Sequence, residues 1–322
     1  MKRILPENWM PIGIDSLELA ADATVRSIDK HSVIIAGPGA GKTELLAQRA
    51  CYLLQTGLCR PPRGILAISF KRDAAKNLGD RVARRCGNEL SSYFDSLTFD
   101  SFAKSLVDRF RLAIPITFRP SRNYRIDNIP ARDLSAFLDA LDVPADIGTL
   151  ADIAALSRKH FLRDFLHYFP LGQEQHRNRV GGWAASQLWQ YLLSQNPSIL
   201  SFPMIGRLAE LMLRSNPHIV KALRCSYAFV FLDEFQDTTK VHFDLTRTAF
   251  QGSDAILTAV GDNKQRIMGW ADALPNAFAT FESSSVRRDR VTMRSWNVPG
   301  LLGEFLAVSA GKSAPADDMA SV

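Results

Sequence analysis

The sequence has few cysteines and lacks the long apolar segments of membrane and exported proteins. Its cysteines form neither a C-x-x-C pair nor a Cys/His cluster at zinc spacing; they are Cys51, Cys59, Cys86 and Cys225. There is no run of about 18 apolar residues, and residues 1–13 contain no continuous apolar segment of a signal peptide. We therefore expect reduced thiols in a cytoplasmic protein without a membrane-spanning segment or a membrane partner.

The composition is that of an ordinary globular chain. Of 322 residues, 46% are hydrophobic and 22% are charged, which suits one large or two modest domains. The net charge of +6 suits a polyanionic partner, but many proteins without such a partner carry a similar charge. The charge alone therefore leaves a nucleic-acid partner open.

Four short apolar runs predict strands, and each is followed by a change of pattern. The runs cover residues 32–36, 64–70, 227–234 and 255–262. Each is nearly continuous in apolar character, as expected for strands buried on both faces of a parallel sheet. Helical patterns follow over residues 43–55, 71–85 and 100–110. The alternation predicts an α/β fold with helices on both faces of the sheet.

The middle of the chain has a different pattern. Residues 112–221 contain amphipathic, helix-like segments punctuated by prolines and no strong strand run. We interpret them as an all-helical subdomain inserted into the α/β domain, which resumes near Ala222. The last residues, 309–322, are small and polar and predict a disordered tail.

The stretch "AGPGAGKTE" (36–44) has the pattern of a phosphate-binding loop. Glycines allow successive backbone N–H groups to converge on phosphate oxygens. Lys42 adds a positive charge, and the Thr43 hydroxyl can bind Mg²⁺ at the start of a helix. The alternative is a glycine-rich turn with a chance G-K-T. The predicted strand before the loop and the predicted helix after it favour phosphate binding.

A second motif, "FVFLDEFQDTT" (229–239), places two acids directly after an apolar strand. The carboxyl ends of strands are where α/β sheets hold their ligands. Asp233 is positioned to hold Mg²⁺, and Glu234 to polarise an attacking water as general base. The alternative is an acidic cap of the following helix, a role that Asp237 can also take.

Taken together, the motifs resemble those of superfamily 1 DNA helicases of the UvrD/Rep/PcrA type. "LDEFQDTT" is similar to motif II of that family. Further segments match in the family's order: "LAISFKRDAAKNLGDRV" (66–82), "TFDSFA" (98–103), "VGDNKQRIMGWADA" (260–273) and "VTMRSWN" (291–297). The resemblance implies a RecA-like P-loop NTPase fold, ATP and Mg²⁺ as cofactors, ATP hydrolysis coupled to DNA unwinding, and single-stranded or tailed duplex DNA as partner.

The resemblance also implies a role for each matching residue. The catalytic residues are Glu234, Gln265 and Arg294. The nucleotide-binding residues are Gly37, Pro38, Gly39, Ala40, Gly41, Lys42, Thr43, Glu44 and Gln236. The metal ligands are Thr43 and Asp233. The DNA-binding residues are Phe70, Thr98, Ser101 and Trp270.

Some positions depart from the family pattern. The glutamine that reads adenine in the family falls at Ala21 or Asp22, and the tyrosine that stacks on adenine is Met293. Both departures weaken the expected selectivity for ATP over other nucleotides. The histidine of the T-F-H-S-F block is Asp100, which would repel a phosphate, so we expect an altered grip on single-stranded DNA.

The resemblance predicts the domain layout. Residues 1–111 and 222–300 would form the RecA-like domain 1A, residues 112–221 a 1B-like insert, and residues 301–322 the start of a second domain or a tail. Too few residues follow Arg294 to build a second motor domain with its own γ-phosphate arginine. We therefore expect slow hydrolysis and no unwinding by this chain alone.

Two further hypotheses are compatible with the sequence. The chain could be a nucleotide-gated DNA- or protein-binding subunit of a repair or phage-defence complex, with a second chain supplying the missing motor domain or a nuclease. It could also be a truncated remnant of a split gene.

Overall fold

The computed structural model describes residues 3–37, 39–172, 179–262, 274, 277–284, 288–293 and 305–308. Its strands are β1 (His31–Ala36), β2 (Gly64–Ser69), β3 (Phe94–Thr98), β4 (Arg125–Ile126), β5 (Ile199–Leu200), β6 (Tyr227–Leu232), β7 (Ile256–Gly261), β8 (Arg288–Met293) and β9 (Phe305–Val308). The four strands expected from the apolar runs are all present, which confirms the predicted parallel α/β fold.

The main sheet has seven strands in the order β3-β2-β6-β7-β1-β8-β9. All neighbouring pairs are parallel except β8 and β9. The strand β3 has no counterpart among the predicted strands. It lies at an edge of the sheet. Its first and last residues are buried and the three between them are partly or fully exposed, so its sequence lacks a continuous apolar run.

The α-helices are α1 (Leu19–Arg26), α2 (Lys42–Gln55), α3 (Arg72–Ser91), α4 (Phe99–Phe110), α5 (Ala131–Asp139), α6 (Leu150–Ala154), α7 (Arg179–Ser194), α8 (Phe202–Ser215), α9 (Pro217–Ser226), α10 (Lys240–Phe250) and α11 (Ala277–Ser284). The predicted helices after β1, β2 and β3 are therefore present as α2, α3 and α4. Within the described ranges, no helix is both long and apolar enough to cross a membrane.

Each face of the sheet packs on its own core. In β6, Phe229 and Phe231 face the core beneath α2 and α3, whereas Val230 and Leu232 face the core beneath α4, α8 and α10. Successive side chains of a strand point to opposite faces, and here both faces are covered. This double burial explains why the strands appear in the sequence as unbroken apolar runs.

The segment 112–221 contains α5 to α8 and the first half of α9, which continues to Ser226; it is helical apart from the short parallel ladder β4–β5, which the expected all-helical insert did not include. Its apolar side chains join the same core as one face of the sheet, and α8 packs against both α4 and α10. Gly206 is needed for this close packing, because a Cβ there would lie 2.5 Å from Cγ1 of Val241. The segment is therefore packed directly onto the α/β core, and its assignment as a separate inserted subdomain stays a prediction.

A buried ion pair joins α8 to α10. Nη1 of Arg207 lies 2.8 Å from Oδ2 of Asp244, and the two side chains are 0% and 1% exposed. The same guanidinium donates hydrogen bonds to the backbone carbonyls of His167 and Tyr168. Lys240 also pairs with Asp244 from the solvent side. Each charge is therefore compensated, as burial of an ion requires.

We predict that Arg207→Ala lowers the free energy of unfolding by about 3–5 kcal/mol, because it leaves the Asp244 carboxylate buried without its main partner. Urea denaturation measures the change. The double variant Arg207→Met/Asp244→Leu should lose much less, since it removes both charges. Arg163→Ala, which removes an exposed ion pair with Asp164, serves as a control. A double variant as unstable as the single one would contradict this account.

Candidate functional site

The candidate site residues gather at the edge where β1, β6 and β7 end. These strands are parallel and β7 lies between the other two, so their carboxyl ends meet at one edge of the sheet. The phosphate-binding loop follows β1, the two acids follow β6, and Asp262 follows β7. The sheet thus brings together residues about 190 positions apart in the chain.

The loop after β1 has the backbone that phosphate binding needs. Gly39 and Gly41 have φ values of 69° and 71°, in the left-handed region that favours glycine. Gly41 caps α2, and the first intrahelical bond there runs from the Leu45 N–H to the Gly41 carbonyl at 2.8 Å. The N–H groups of Lys42 to Glu44 consequently have no acceptor within the helix and are left for an anion.

Lys42 is held over the loop. Its ammonium donates to the backbone carbonyls of Ala36 and Gly37 at 3.3 and 3.4 Å, and the residue is 9% exposed. Both bonds are at the long end of the hydrogen-bond range. The ammonium is therefore held only weakly beside the loop. The neighbouring Thr43 is half-buried at the start of α2.

The Glu44 carboxylate points away from the loop and towards α3. It lies 2.7 Å from Arg81 and 2.8 Å from Arg85, and Gln48 donates to it at 2.8 Å. Burial alone would raise the pKa of this carboxyl, but the hydrogen bonds and charges of these partners hold it below its ordinary value. The group that Glu44 can offer a nucleotide is its backbone N–H, and its predicted nucleotide role remains a prediction.

Asp233 is buried at the end of β6. It is 2% exposed, and its N–H donates to the Ile68 carbonyl at 2.9 Å, which fixes it against β2. Burial raises the pKa of its carboxyl to about 6, and the charge of Glu234 adds to the rise. The Glu234 backbone N–H, the Lys42 charge and the Ser69 hydroxyl act in the opposite direction. A cation bound beside this carboxylate would offset the cost of its burial.

Glu234 has a strained backbone. Its φ of 50° is the only positive value of a non-glycine residue among the residues that the structure describes. Such a conformation costs on the order of 1 kcal/mol and is found where a side chain must be aimed. The half-buried carboxylate accepts a hydrogen bond from Nε2 of Gln236 at 2.7 Å. The strained turn and this bond together fix the direction of the carboxylate.

Gln236 connects the acids after β6 to the end of β7. While its Nε2 donates to Glu234, its Oε1 accepts from the Asp262 backbone N–H at 2.9 Å. A Cβ on Gly261 would lie 2.1 Å from that Oε1, so only glycine leaves room for the amide. Roles for Gly261 and Asp262 were not expected, although both lie in the "VGDNKQ" segment that matched the family.

Three of the predicted DNA-binding residues lie on the neighbouring strand ends. Phe70 follows β2 and is half-buried, whereas Thr98 ends β3 and is only 7% exposed. The Thr98 hydroxyl oxygen accepts from the Ser101 N–H at 3.1 Å and caps α4, and it also donates to Ser101 Oγ at 2.9 Å. Ser101 is exposed. Phe70 and Ser101 therefore offer accessible groups, while Thr98 mainly holds the start of α4.

His242 of α10 is a further residue at this surface, and it was not expected. Its ring stacks on Phe99 with centroids 4.4 Å apart and planes 9° from parallel, and it meets the edge of Phe70 at 6.1 Å. Its Nε2 lies 3.9 Å from Oδ1 of Asp100. Asp100 therefore has an imidazole beside it. No local sequence pattern could have revealed this contact, because more than 130 residues separate Asp100 from His242.

The two positions that match the family's adenine-reading glutamine have structural roles in this protein. Ala21 is buried, and Asp22 pairs with Arg26 at 2.8 Å. Arg26 in turn donates to the carbonyls of Pro6 and Trp9 at 2.7 and 3.0 Å. Asp22 thus anchors the N-terminal segment to α1. Four predicted site residues lie outside the described residues: Pro38, Gln265, Trp270 and Arg294.

The Asp233 carboxyl should make stability depend on pH. Its pKa is 3.8 when unperturbed and about 6 in the fold, so its ionisation destabilises the folded protein as pH rises from about 4 to about 6. We predict that Asp233→Asn raises the free energy of unfolding by up to about 3 kcal/mol near pH 8, and by only about 0.5 kcal/mol near pH 4.

Urea denaturation at both pH values measures this gain in stability. Glu89→Gln, at an exposed position on α3, controls for the loss of a surface acid. A gain that is equal at the two pH values, or absent near pH 8, would show that burial of this charge is not the cause.

Comparison with known proteins identifies the family. Residues 17–285 match the model of the UvrD/REP helicase N-terminal domain. The chain is 27% identical to a probable DNA helicase II homolog of Mycoplasma capricolum over 81% of its length, and 25% identical to DNA helicase II of Escherichia coli K12, also over 81%. It is 26% identical over 80% to the ATP-dependent DNA helicase PcrA of Staphylococcus aureus Mu50.

The matches cover 36%, 35% and 34% of these three relatives, so the chain spans about a third of their length. The family resemblance of the sequence motifs is confirmed, because the matched region of the family model contains the phosphate-binding loop, the two acids and the helical segment between them. The chain therefore belongs to the UvrD/REP helicase N-terminal domain family.

Proposed function

We propose that this chain supplies the nucleotide-binding half of a DNA helicase or translocase motor. It binds ATP with Mg²⁺ at the ends of β1 and β6, and single-stranded DNA at the adjoining ends of β2 and β3. The hydrogen-bonded series from Glu234 through Gln236 to Asp262, beside Lys42 and Asp233, is the observation that carries this proposal. A pure binding subunit would have no need of an oriented, strained glutamate at this position.

The residues present fit ATP and Mg²⁺. Mg²⁺ takes one or two protein oxygens and completes its shell with phosphate and water. Thr43 and Asp233 would supply those oxygens. When bound, Mg²⁺ neutralises charge on the phosphate oxygens.

The protein side chains have separate tasks in hydrolysis. Lys42 exchanges its two long bonds to the loop carbonyls for the phosphates, and the free N–H groups of α2 bind the same anion. Glu234, aimed by its strained turn and by Gln236, accepts the proton of the attacking water. Since Gln236 also holds the Asp262 N–H, a shift of Glu234 is passed to the segment that follows β7.

The proposed DNA surface adjoins this site through α10. The helix begins three residues after Asp237 and carries His242, which packs against Phe99 and Phe70. Aromatic faces stack on bases without regard to sequence, and exposed hydroxyls such as Ser101 bond phosphates. A DNA strand stacked on Phe70 would therefore rest on a side chain that contacts α10, the helix that follows the two acids.

Two substitutions separate nucleotide binding from hydrolysis. We expect Lys42→Ala to abolish binding of a fluorescent ATP analogue in the presence of Mg²⁺. We expect Glu234→Gln to retain binding and to lower the hydrolysis rate by about 10²–10⁴-fold, because it removes the general base. Lys159→Ala, an exposed lysine in the helical segment, is the matched control. Hydrolysis by Glu234→Gln at the rate of the unchanged protein would refute the assigned role of Glu234.

A substitution at Phe70 tests the proposed DNA surface. We expect Phe70→Ala to weaken binding of a fluorescent oligo(dT) by about 1–3 kcal/mol, the usual contribution of one stacked base, with nucleotide binding unchanged. Fluorescence anisotropy measures the affinity. Tyr191→Ala removes an aromatic ring that is also solvent-accessible but lies on α7. If both variants bind oligo(dT) as tightly as the unchanged protein does, Phe70 is not part of the DNA surface.

A further inference from the structure

An open cleft of about 680 Å³ lies at the far end of α4 from the strand ends. One wall is the last two turns of α4, and the other is formed by residues 111–113 and 122–124. We call it the α4 cleft. It shares no lining residue with the nucleotide site or with the proposed DNA contacts at Phe70 and Ser101.

The α4 cleft is strongly basic. Its charged lining residues are Lys104, Asp108, Arg109, Arg111 and Arg122. Asp108, the one acid in that lining, is already engaged, since it pairs with Lys104 and accepts a hydrogen bond from the Tyr124 hydroxyl at 2.6 Å. The surplus of positive charge therefore remains available to an anion from outside the chain.

Two of these arginines have no carboxylate partner. Across the part of the chain that the structure describes, Arg109 and Arg122 form no ion pair and donate no hydrogen bond, and both are exposed. The centre of the Arg109 guanidinium lies 6.0 Å from the ring centroid of Phe110. Surface arginines on folded proteins commonly pair with acids. Two unpaired ones on facing walls of a cleft are suited to phosphate.

The wall opposite α4 is held in place by backbone contacts. Arg111 donates to the Pro120 carbonyl at 2.9 Å, and the Ser121 N–H donates to Ser198 Oγ at 2.9 Å. The Arg125 N–H bonds the Ser198 carbonyl at 2.7 Å, at the start of the β4–β5 ladder. The loop that carries Arg122 is thus fixed at residues on both sides of it, so the backbone from which this arginine projects is in place before a ligand arrives.

One exposed face of α4 connects the cleft to the proposed DNA surface. Ser101, Ser105 and Arg109 are four residues apart and all exposed, so they follow one another along the helix. At 1.5 Å per residue the first and last are separated by about 12 Å, the length of about three phosphates of a stacked strand. Leu112, 70% exposed beside the cleft, offers an apolar contact to a base.

We propose that the α4 cleft binds the backbone phosphates of the same single DNA strand that contacts Phe70 and Ser101, through Arg109 and Arg122. The inference rests on the proposed function and extends its DNA contact by several nucleotides. The unbroken exposed face of α4 leads from one contact to the other, which favours one continuous strand over a separate anion. The helical segment therefore takes part in holding DNA.

Oligonucleotide length and salt together test the proposal. We compare fluorescent oligo(dT) of about 6 and about 16 nucleotides, spanning the usual site sizes for single strands. For Arg109→Ala/Arg122→Ala we expect weaker binding of the longer strand and unchanged binding of the shorter one. The slope of log affinity against log salt should fall by about 1.4, since each lost phosphate contact contributes about 0.7. Arg109→Lys/Arg122→Lys should largely restore the slope.

The control variant is Arg60→Ala/Arg84→Ala, which removes the same charge from the loop before β2 and from α3, away from the cleft. Thermal melting and binding of the fluorescent ATP analogue show that each variant is folded. An equal loss in both double variants, or no change in the cleft variant, overturns the proposal but leaves the proposed function intact. Unchanged protein that binds ATP but neither oligonucleotide overturns both the cleft and the DNA part of the proposed function.

Discussion

The parallel hydrogen-bond ladder of β6, β7 and β1 is the constraint on which the rest of the site depends. Because the three strands run in one direction, the loop with Lys42, the acids Asp233 and Glu234, and Asp262 all emerge at the same edge. Asp233 is fixed there by its bond to the Ile68 carbonyl of β2. The cost of burying the Asp233 carboxylate is partly offset by the positive charge of Lys42. The site therefore combines one negative and one positive side chain, which suits a ligand that carries both a metal ion and phosphates.

The helical segment depends on the same core. Arg207 and Asp244 bury their charges between α8 and α10, and α10 carries both the ion pair and His242. The helix that follows the two acids is thereby joined to the helical segment on one side and to the proposed DNA surface on the other. The turn at Glu234 is therefore followed within a few residues by the helix that contacts both regions.

Much of the fold could be predicted because its strands are buried on both faces, which produces unbroken apolar runs. The edge strand β3 was missed because half-exposed positions interrupt its pattern. Within the site, the loop glycines and the acids of "LDEFQDTT" were recognisable by spacing alone. The orientation of Glu44 towards Arg81 and Arg85 was not, because a helical glutamate has no local signal that tells which neighbouring helix will lie beside it.

The class of fold, the glycine-rich loop and the family could be inferred from the order of the amino acids, since these depend on local backbone requirements and on short motifs in a set order. The contacts across the sheet edge could not be inferred in this way: the Gln236 amide lies between Glu234 and Asp262, and His242 stacks on Phe99 beside Asp100. The same holds for the cleft that Arg109 and Arg122 both line. Such contacts join distant segments, so they follow from strand order and helix packing rather than from spacing along the chain.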